Sequence, residues 1–280
     1  KTLFLCRLNR EKTRMMKKKL TLFFTTLSFL VAFTASAAKY QLDNSNFEDW
    51  SGPAFKGQPT LGGPWHGANI SQLGFDFQVV FRSTDSHSGK YSVKCEDTEV
   101  GALGIKDVSP SWITLGKPWS YISGISQSSA TAGTDGGIAF TARPDSMAVW
   151  IKRHSTSDEN INLVYYSWKG TSRGDSYLSK GGDCTSTTHY DEESDIRQAL
   201  NGNECETKTY AKQIAEGWIC DRKVYSNWTR IVIPIYYLND DVPQQCNVIL
   251  SAGRYPDFRA NEGQYAGSTM DVDDISLVYS

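Results

Sequence analysis

Thr269-Met270-Asp271-Val272-Asp273-Asp274-Ile275-Ser276-Leu277-Val278-Tyr279 reads as a strand whose apolar residues recur with period two. The alternation changes phase once. Met270 and Val272 share one parity, while Ile275, Leu277 and Tyr279 share the other, so the slip falls at Asp273-Asp274. One extra residue at that point, a β-bulge, restores a single inward face.

The same period recurs upstream. Phe75, Phe77, Val79 and Phe81 alternate with Asp76, Gln78, Val80 and Arg82, and Tyr91, Val93 and Cys95 with Ser92, Lys94 and Glu96. Met147, Val149 and Ile151 alternate with Ala148, Trp150 and Lys152; residues 161–168, 231–237 and 248–251 read alike. Turn clusters separate these runs, among them Ser51-Gly52-Pro53, Gly62-Gly63-Pro64, Ser88-Gly89-Lys90 and Gly136-Gly137. Many short strands with almost no sustained helical period predict an all-β chain, an antiparallel two-sheet β-sandwich of jelly-roll topology. One short helix is expected over residues 191–200, with Asp191, Glu192 and Glu193 in its first turn and Gly202 just beyond its end. It belongs to a polar loop excursion, residues 180–223, that holds Cys184, Cys205 and Cys220.

The 280 residues carry 29 Lys+Arg against 31 Asp+Glu, and the near balance hides a split. Residues 1–38 contain eight basic side chains and one acid, which leaves the rest acidic, a poor partner for nucleic acid or an anionic membrane. Met16-Lys17-Lys18-Lys19, an uncharged run over 20–33 and Ala35-Ser36-Ala37 form the three parts of a secretory signal peptide over residues 16–37. Fourteen helical residues reach about 21 Å, short of a hydrocarbon core of about 30 Å, so the run is not read as a membrane span. Residues 1–15 precede the natural start of such a signal, with Met15 or Met16 as initiator, and read as an upstream extension. The expectation is an exported protein, periplasmic, cell-surface or secreted, with one domain over 38–280. Five of its cysteines lie in that domain, where the compartment permits disulfides. An odd count leaves at least one unpaired, for which Cys95 on an apolar strand parity is the candidate. Cys184, Cys205, Cys220 and Cys246 remain open as partners.

Three segments carry a resemblance: Asn46-Phe47-Glu48-Asp49-Trp50 near the start of the domain, Ser86-His87-Ser88-Gly89-Lys90-Tyr91-Ser92-Val93-Lys94, and the final Asp273-Asp274-Ile275-Ser276-Leu277. They are similar to carbohydrate-binding-module jelly rolls of the galactose-binding-like superfamily. With residues 137–146, the strand from Trp228 to Tyr237 and Gly267-Ser268, the order most resembles the PCMD family, the "putative carbohydrate metabolism domain" of exported proteins, over essentially all of residues 39–280. The Cys-rich excursion has no counterpart in that resemblance. The family implies glycan-related work, by a non-catalytic sandwich that binds polysaccharide or glycoconjugate. Two alternatives stand beside it: a glycoside hydrolase or polysaccharide lyase of the same fold, and a structural or adhesion component with surface-protein partners. In related modules an N-terminal acid and the last-strand aspartate help hold a structural calcium, which would place Glu48 beside Asp273; pairing with Lys or Arg, or plain exposure, is the other reading.

Sugars present flat C–H faces and rings of hydroxyls, so aromatic platforms flanked by polar side chains suit them. Trp150 lies opposite the apolar parity of its strand. A platform of Trp150 with Trp168 or Tyr165 is one reading, with Arg143, Asp145 or Lys152 as polar neighbours. Core burial of the same aromatics is the other, and Trp65, Trp112 and Trp119 are loop alternatives. Acids are abundant, but no spacing selects the two facing carboxylates a glycosidase needs. No HExxH, CxxC, phosphate loop or G-x-S-x-G elbow occurs.

Overall fold

The computed structural model describes residues 40–72, 75–102, 105–122, 130–155, 160–170, 175–178, 186–189, 194–195, 208–209, 211–253 and 266–280. Two antiparallel sheets face each other. The front sheet has five strands in the order Tyr225–Pro234, Ser146–His154, Thr269–Val278, Ser92–Glu96 and Val80–Ser83. The back sheet runs Tyr236–Tyr237, Ala211–Asp221, Ile161–Gly170, Gln245–Ser251, Trp112–Thr114 and His66–Gly67, with Ile138–Ala139 also paired to Gln245–Ser251. The chain passes from front to back after Ser92–Glu96, returns at Ser146–His154, and keeps crossing until Thr269–Val278 closes the front sheet at its centre. This is the predicted jelly-roll sandwich.

Alternation explains the division of the front sheet. Met147, Val149 and Ile151 are buried, as are Met270, Val272, Ile275 and Leu277, and they meet Leu163, Val248 and Leu250 of the back sheet in one core. Ala148 pairs with Ser276 but Trp150 with Asp273, so two residues on the final strand stand against one on its neighbour. Asp274 has φ of +44° there. The bulge expected at Asp273-Asp274 is thus present, and it lets both halves of the strand send apolar side chains inward.

The segment before the first hairpin joins this strand. Ile275 N donates to the Ser45 carbonyl at 2.9 Å. Phe47 is buried and packs edge-on against Trp65, centroids 5.2 Å apart. Asn44 Nδ2 donates to the carbonyls of Asp49 and Gly62, each at 3.0 Å, and so fixes the base of the hairpin formed by Trp50–Phe55 and Gln58–Leu61.

Ser194–Asp195 pair antiparallel with Lys208–Thr209, so these two residues are extended rather than helical. The rest of the helix expected over 191–200 lies outside the described residues, as do the signal segment, Cys184 and Cys205. Cys95 and Cys246 are buried free thiols, which takes Cys246 out of the set of open disulfide partners. Among the described residues no helix is long and apolar enough to cross a membrane.

Candidate carbohydrate-contact face

The outward parity of the front sheet carries charge and indole in adjoining rows. Lys94 pairs with Asp271 and Asp271 with Lys152, a row of alternating sign across three strands. In the next row Asp273 stands opposite Trp150, and Trp150 opposite Arg230.

Residues 84–91 fold back over this face. Ser83 and Ser92 pair at the base of the connection. Asp273 Oδ2 accepts the N–H of His87 at 2.8 Å and of Ser88 at 3.1 Å, while its Oδ1 accepts the N–H of Asp274 at 2.8 Å. From the other side Glu48 Oε1 accepts the N–H of Lys90 at 2.7 Å and of Tyr91 at 2.9 Å. Gly89 has φ of +65°, and a Cβ there would stand 2.2 Å from Glu48 Oε1, so only glycine fits between the two carboxylates.

The loop so held lays the His87 ring on Trp150, centroids 3.7 Å apart and planes 14° from parallel. His87 Nδ1 is 2.6 Å from Asp274 Oδ2, and Trp228 lies edge-on to His87 at 6.2 Å. The Asp85 carboxylate completes the group by pairing with Lys152 Nζ and accepting the Trp228 indole N–H at 3.2 Å. Those two partners, Lys152 foremost, hold the Asp85 carboxyl below its usual range. Asp271 goes the other way. Burial, with the negative Asp85 nearby, pushes its carboxyl up to about 6 against the pull of Lys94 and Lys152.

That shift fixes the sign of a pH effect. The folded chain holds the Asp271 proton more tightly than the unfolded one, whose carboxyl titrates near about 3.9. This contribution to stability is therefore present below about pH 4 and lost as pH rises through about 6. Asp271→Asn mimics the protonated form, so it is expected to raise stability by about 1–2 kcal/mol at pH 8 and by nothing near pH 4. Denaturant midpoints at the two pH values check this, and an equal effect at both would contradict it.

The other expected residues are placed as follows. Trp168 and Tyr165 are fully buried, so neither offers a face to a ligand; the platform expected from them with Trp150 is corrected to core. The reason is that residues 161–168 of Ile161–Gly170 are buried one after another, on both faces. Trp65 and Trp112 are buried as well. Arg143 stacks on the Tyr237 ring at 3.9 Å and donates to the Asp241 and Asn239 carbonyls, a clamp between segments. Asp145 accepts the N–H of Ser280 at 2.5 Å. Trp119 lies on Lys117–Ile122, paired with Ala130–Asp135; its side chain is outside the described residues. Of the residues expected at the platform Trp150 and Lys152 join the cluster, and their companions there are His87, Trp228 and Asp85.

Glu48 and Asp273, the pair expected to hold calcium, both bind the 84–91 loop: Glu48 Oε1 and both oxygens of Asp273 accept amide N–H groups. Among the described residues no group of three or more His, Cys, Asp or Glu is placed to hold a metal ion. Backbone amides are what these three oxygens hold in the structure, and they fasten the loop.

No family model matches the chain, and no curated protein matches it. Several solved structures are similar, three of which follow. A "putative glycoside hydrolase" of Bacteroides thetaiotaomicron aligns with TM-score 0.52 and 13% identity, over 84% of this chain and 70% of that one. A "putative glycoside hydrolase" of Bacteroides vulgatus aligns with TM-score 0.48 and 16% identity, over 83% and 96%. A module named TmCBM61, in complex with β-1,4-galactotriose, aligns with TM-score 0.36 and 10% identity, over 85% and 97%. The first likeness establishes a shared fold: the chain is an all-β sandwich of the architecture seen in that Bacteroides thetaiotaomicron protein.

Proposed function

We propose that the protein is an exported carbohydrate-binding β-sandwich that captures polysaccharide or glycoconjugate on the outer face of its front sheet. The observation that carries this reading is the meeting of Trp150, Trp228 and His87 beside the Asp85–Lys152 pair. Indole and imidazole surfaces suit the C–H face of a sugar, and a carboxylate next to an ammonium supplies an acceptor and donors for its hydroxyls. Arg230, exposed opposite Trp150, adds further donors. The resemblance to the PCMD family and to carbohydrate-binding modules points the same way, and the name of the similar Bacteroides thetaiotaomicron structure, a "putative glycoside hydrolase", supports carbohydrate as the ligand class without choosing between capture and hydrolysis.

Glycan-array retention with product analysis tests the proposal. Wild type is expected to be retained without releasing reducing sugar, and Trp150→Ala/Trp228→Ala to lose at least about tenfold in affinity, the order of two stacking contacts. Unchanged retention by the folded double variant would refute the face as the contact. A second reading, hydrolysis, has one observation in its favour. Asp85 and Asp271 are two carboxyls on one face whose protonation is pushed apart, the arrangement an acid and its partner need. Released reducing sugar, lost in Asp271→Asn, would move the assignment there. Export through the 16–37 segment, and a disulfide joining Cys220 to Cys184 or Cys205, belong to the same proposal.

A further inference from the structure

A cleft of about 290 Å³ opens beside the first hairpin, and none of Trp150, Trp228, His87, Asp85 and Lys152 lines it. Trp50, Phe55, Leu61 and Pro118 give its lining ring and aliphatic carbon, set among polar side chains and backbone. Trp50 has already spent its indole N–H on the Phe47 carbonyl at 2.6 Å, so it offers only ring surface. Three polar side chains belong to the lining, Thr60, His66 and Asn69, of which Thr60 donates its hydroxyl to the Ser51 carbonyl. Asn69 Oδ1 accepts the N–H groups of Val79 and Val80 at 2.9 and 3.0 Å, which fixes the amide's orientation and leaves its Nδ2 donors without a protein partner among the described residues. Partial burial, with the charge of Lys117 behind it, lowers the pKa of His66, so near neutrality the ring carries one donor and one acceptor and no charge. Among the described residues no Asp, Glu, Lys or Arg lines the cleft.

We infer that this cleft is a second saccharide site, one that takes a single neutral pyranose residue at a chain end. Ligand pockets run from about 300 Å³ upward, so this volume admits one small ring and not a run of several. Apolar walls take the C–H faces, while the Asn69 amide and the neutral imidazole bind hydroxyls. A uronate or phosphorylated sugar would lose part of its hydration with no charged side chain among the described lining residues to pair it, Lys117 acting only from behind His66, which disfavours it. A neutral ring meets no such penalty. The inference shares with the front-face proposal only its ligand class and uses none of its residues.

The test is a titration of the full chain with methyl glucopyranoside, methyl galactopyranoside, methyl mannopyranoside and methyl galacturonate, read by the Asn69 side-chain amide signals in nitrogen–proton NMR. At least one neutral glycoside is expected to shift those signals, equally in wild type and in Trp150→Ala/Trp228→Ala, and to bind about tenfold more weakly to His66→Ala. His66 is solvent-facing on a two-residue strand, so its replacement leaves the fold in place; His66→Trp, which crowds the mouth, is a second variant expected to abolish the shift. Asn69 signals unmoved by all three neutral glycosides overturn the inference. So does equal binding of the uronate, or binding lost in the Trp150/Trp228 variant and kept in His66→Ala. The last result would leave the front-face proposal standing, whereas Asn69 shifts beside unchanged polysaccharide retention in Trp150→Ala/Trp228→Ala would sink that proposal and keep this one.

Discussion

Asp273→Ala is expected to cost about 3 kcal/mol, a fall in melting temperature of the order of 10 °C for a domain of this size. The carboxylate is fully buried and accepts three N–H groups, two of them in the loop that carries His87. A methyl group leaves all three donors unpaired beneath the loop, and each costs desolvation that water cannot repay while the loop stays down. The gain is not unopposed. Burial pushes the Asp273 carboxyl up to about 6, so keeping it ionised near neutrality already costs something, and the net loss is smaller than three charge-assisted hydrogen bonds would suggest. The loop should therefore lift, and with it the ring stacked 3.7 Å above Trp150. Thermal melting reads the first effect and a red shift of tryptophan emission the second. Asp274→Asn, which touches only the His87 side chain at the partly exposed Nδ1 contact, should change either by little. An Asp273→Ala protein that melts with wild type would show that the loop is held by something other than this carboxylate.

What could be read in the sequence divides along the same structural lines. The change of parity at Asp273-Asp274 announced a bulge because a half-buried strand must keep its apolar set on one side, and Met270, Val272, Ile275 and Leu277 all point inward. Trp150 could be placed outward by the same argument, opposite buried Met147, Val149 and Ile151. The argument fails for Trp168 and Tyr165, since a strand covered on both faces gives parity nothing to discriminate. Trp228 was legible and passed over: with Arg230 and Val232 it alternates against Thr229, Ile231 and Ile233, and only Ile233 of these six is buried. His87 and Asp85 were not legible as site residues, because no local period says that a turn will fold onto a sheet. Their position follows from long-range acceptors, Asp273 and Glu48, separated from the loop by 186 and 42 residues. A resemblance had singled out those two acids, while the donors they bind, backbone amides, have no signature in a side-chain sequence.

Trp168→Ala separates core from contact face most sharply. The Trp168 side chain is wholly buried, tilted against Tyr166 with centroids 5.5 Å apart. Gly137 is drawn so close that a Cβ there would stand 2.9 Å from the indole and 2.1 Å from the Cys246 carbonyl oxygen. Removing so large a ring from a closely packed interior leaves a cavity that these neighbours cannot close, since Gly137 has no side chain to lend and the strands around it are pinned by their ladders. Such truncations cost about 3–5 kcal/mol. Trp150→Ala removes instead a half-buried ring and one stacking partner, so its cost to stability should be near about 1 kcal/mol while its effect on glycan retention is large. Denaturant midpoints and retention measured on both variants therefore form a crossed pair: stability falls in the first with retention per folded molecule intact, and retention falls in the second with the midpoint nearly unchanged. If Trp168→Ala kept its midpoint and lost retention, the indole would have to reach ligand, and assigning residues 161–168 to the core would be wrong.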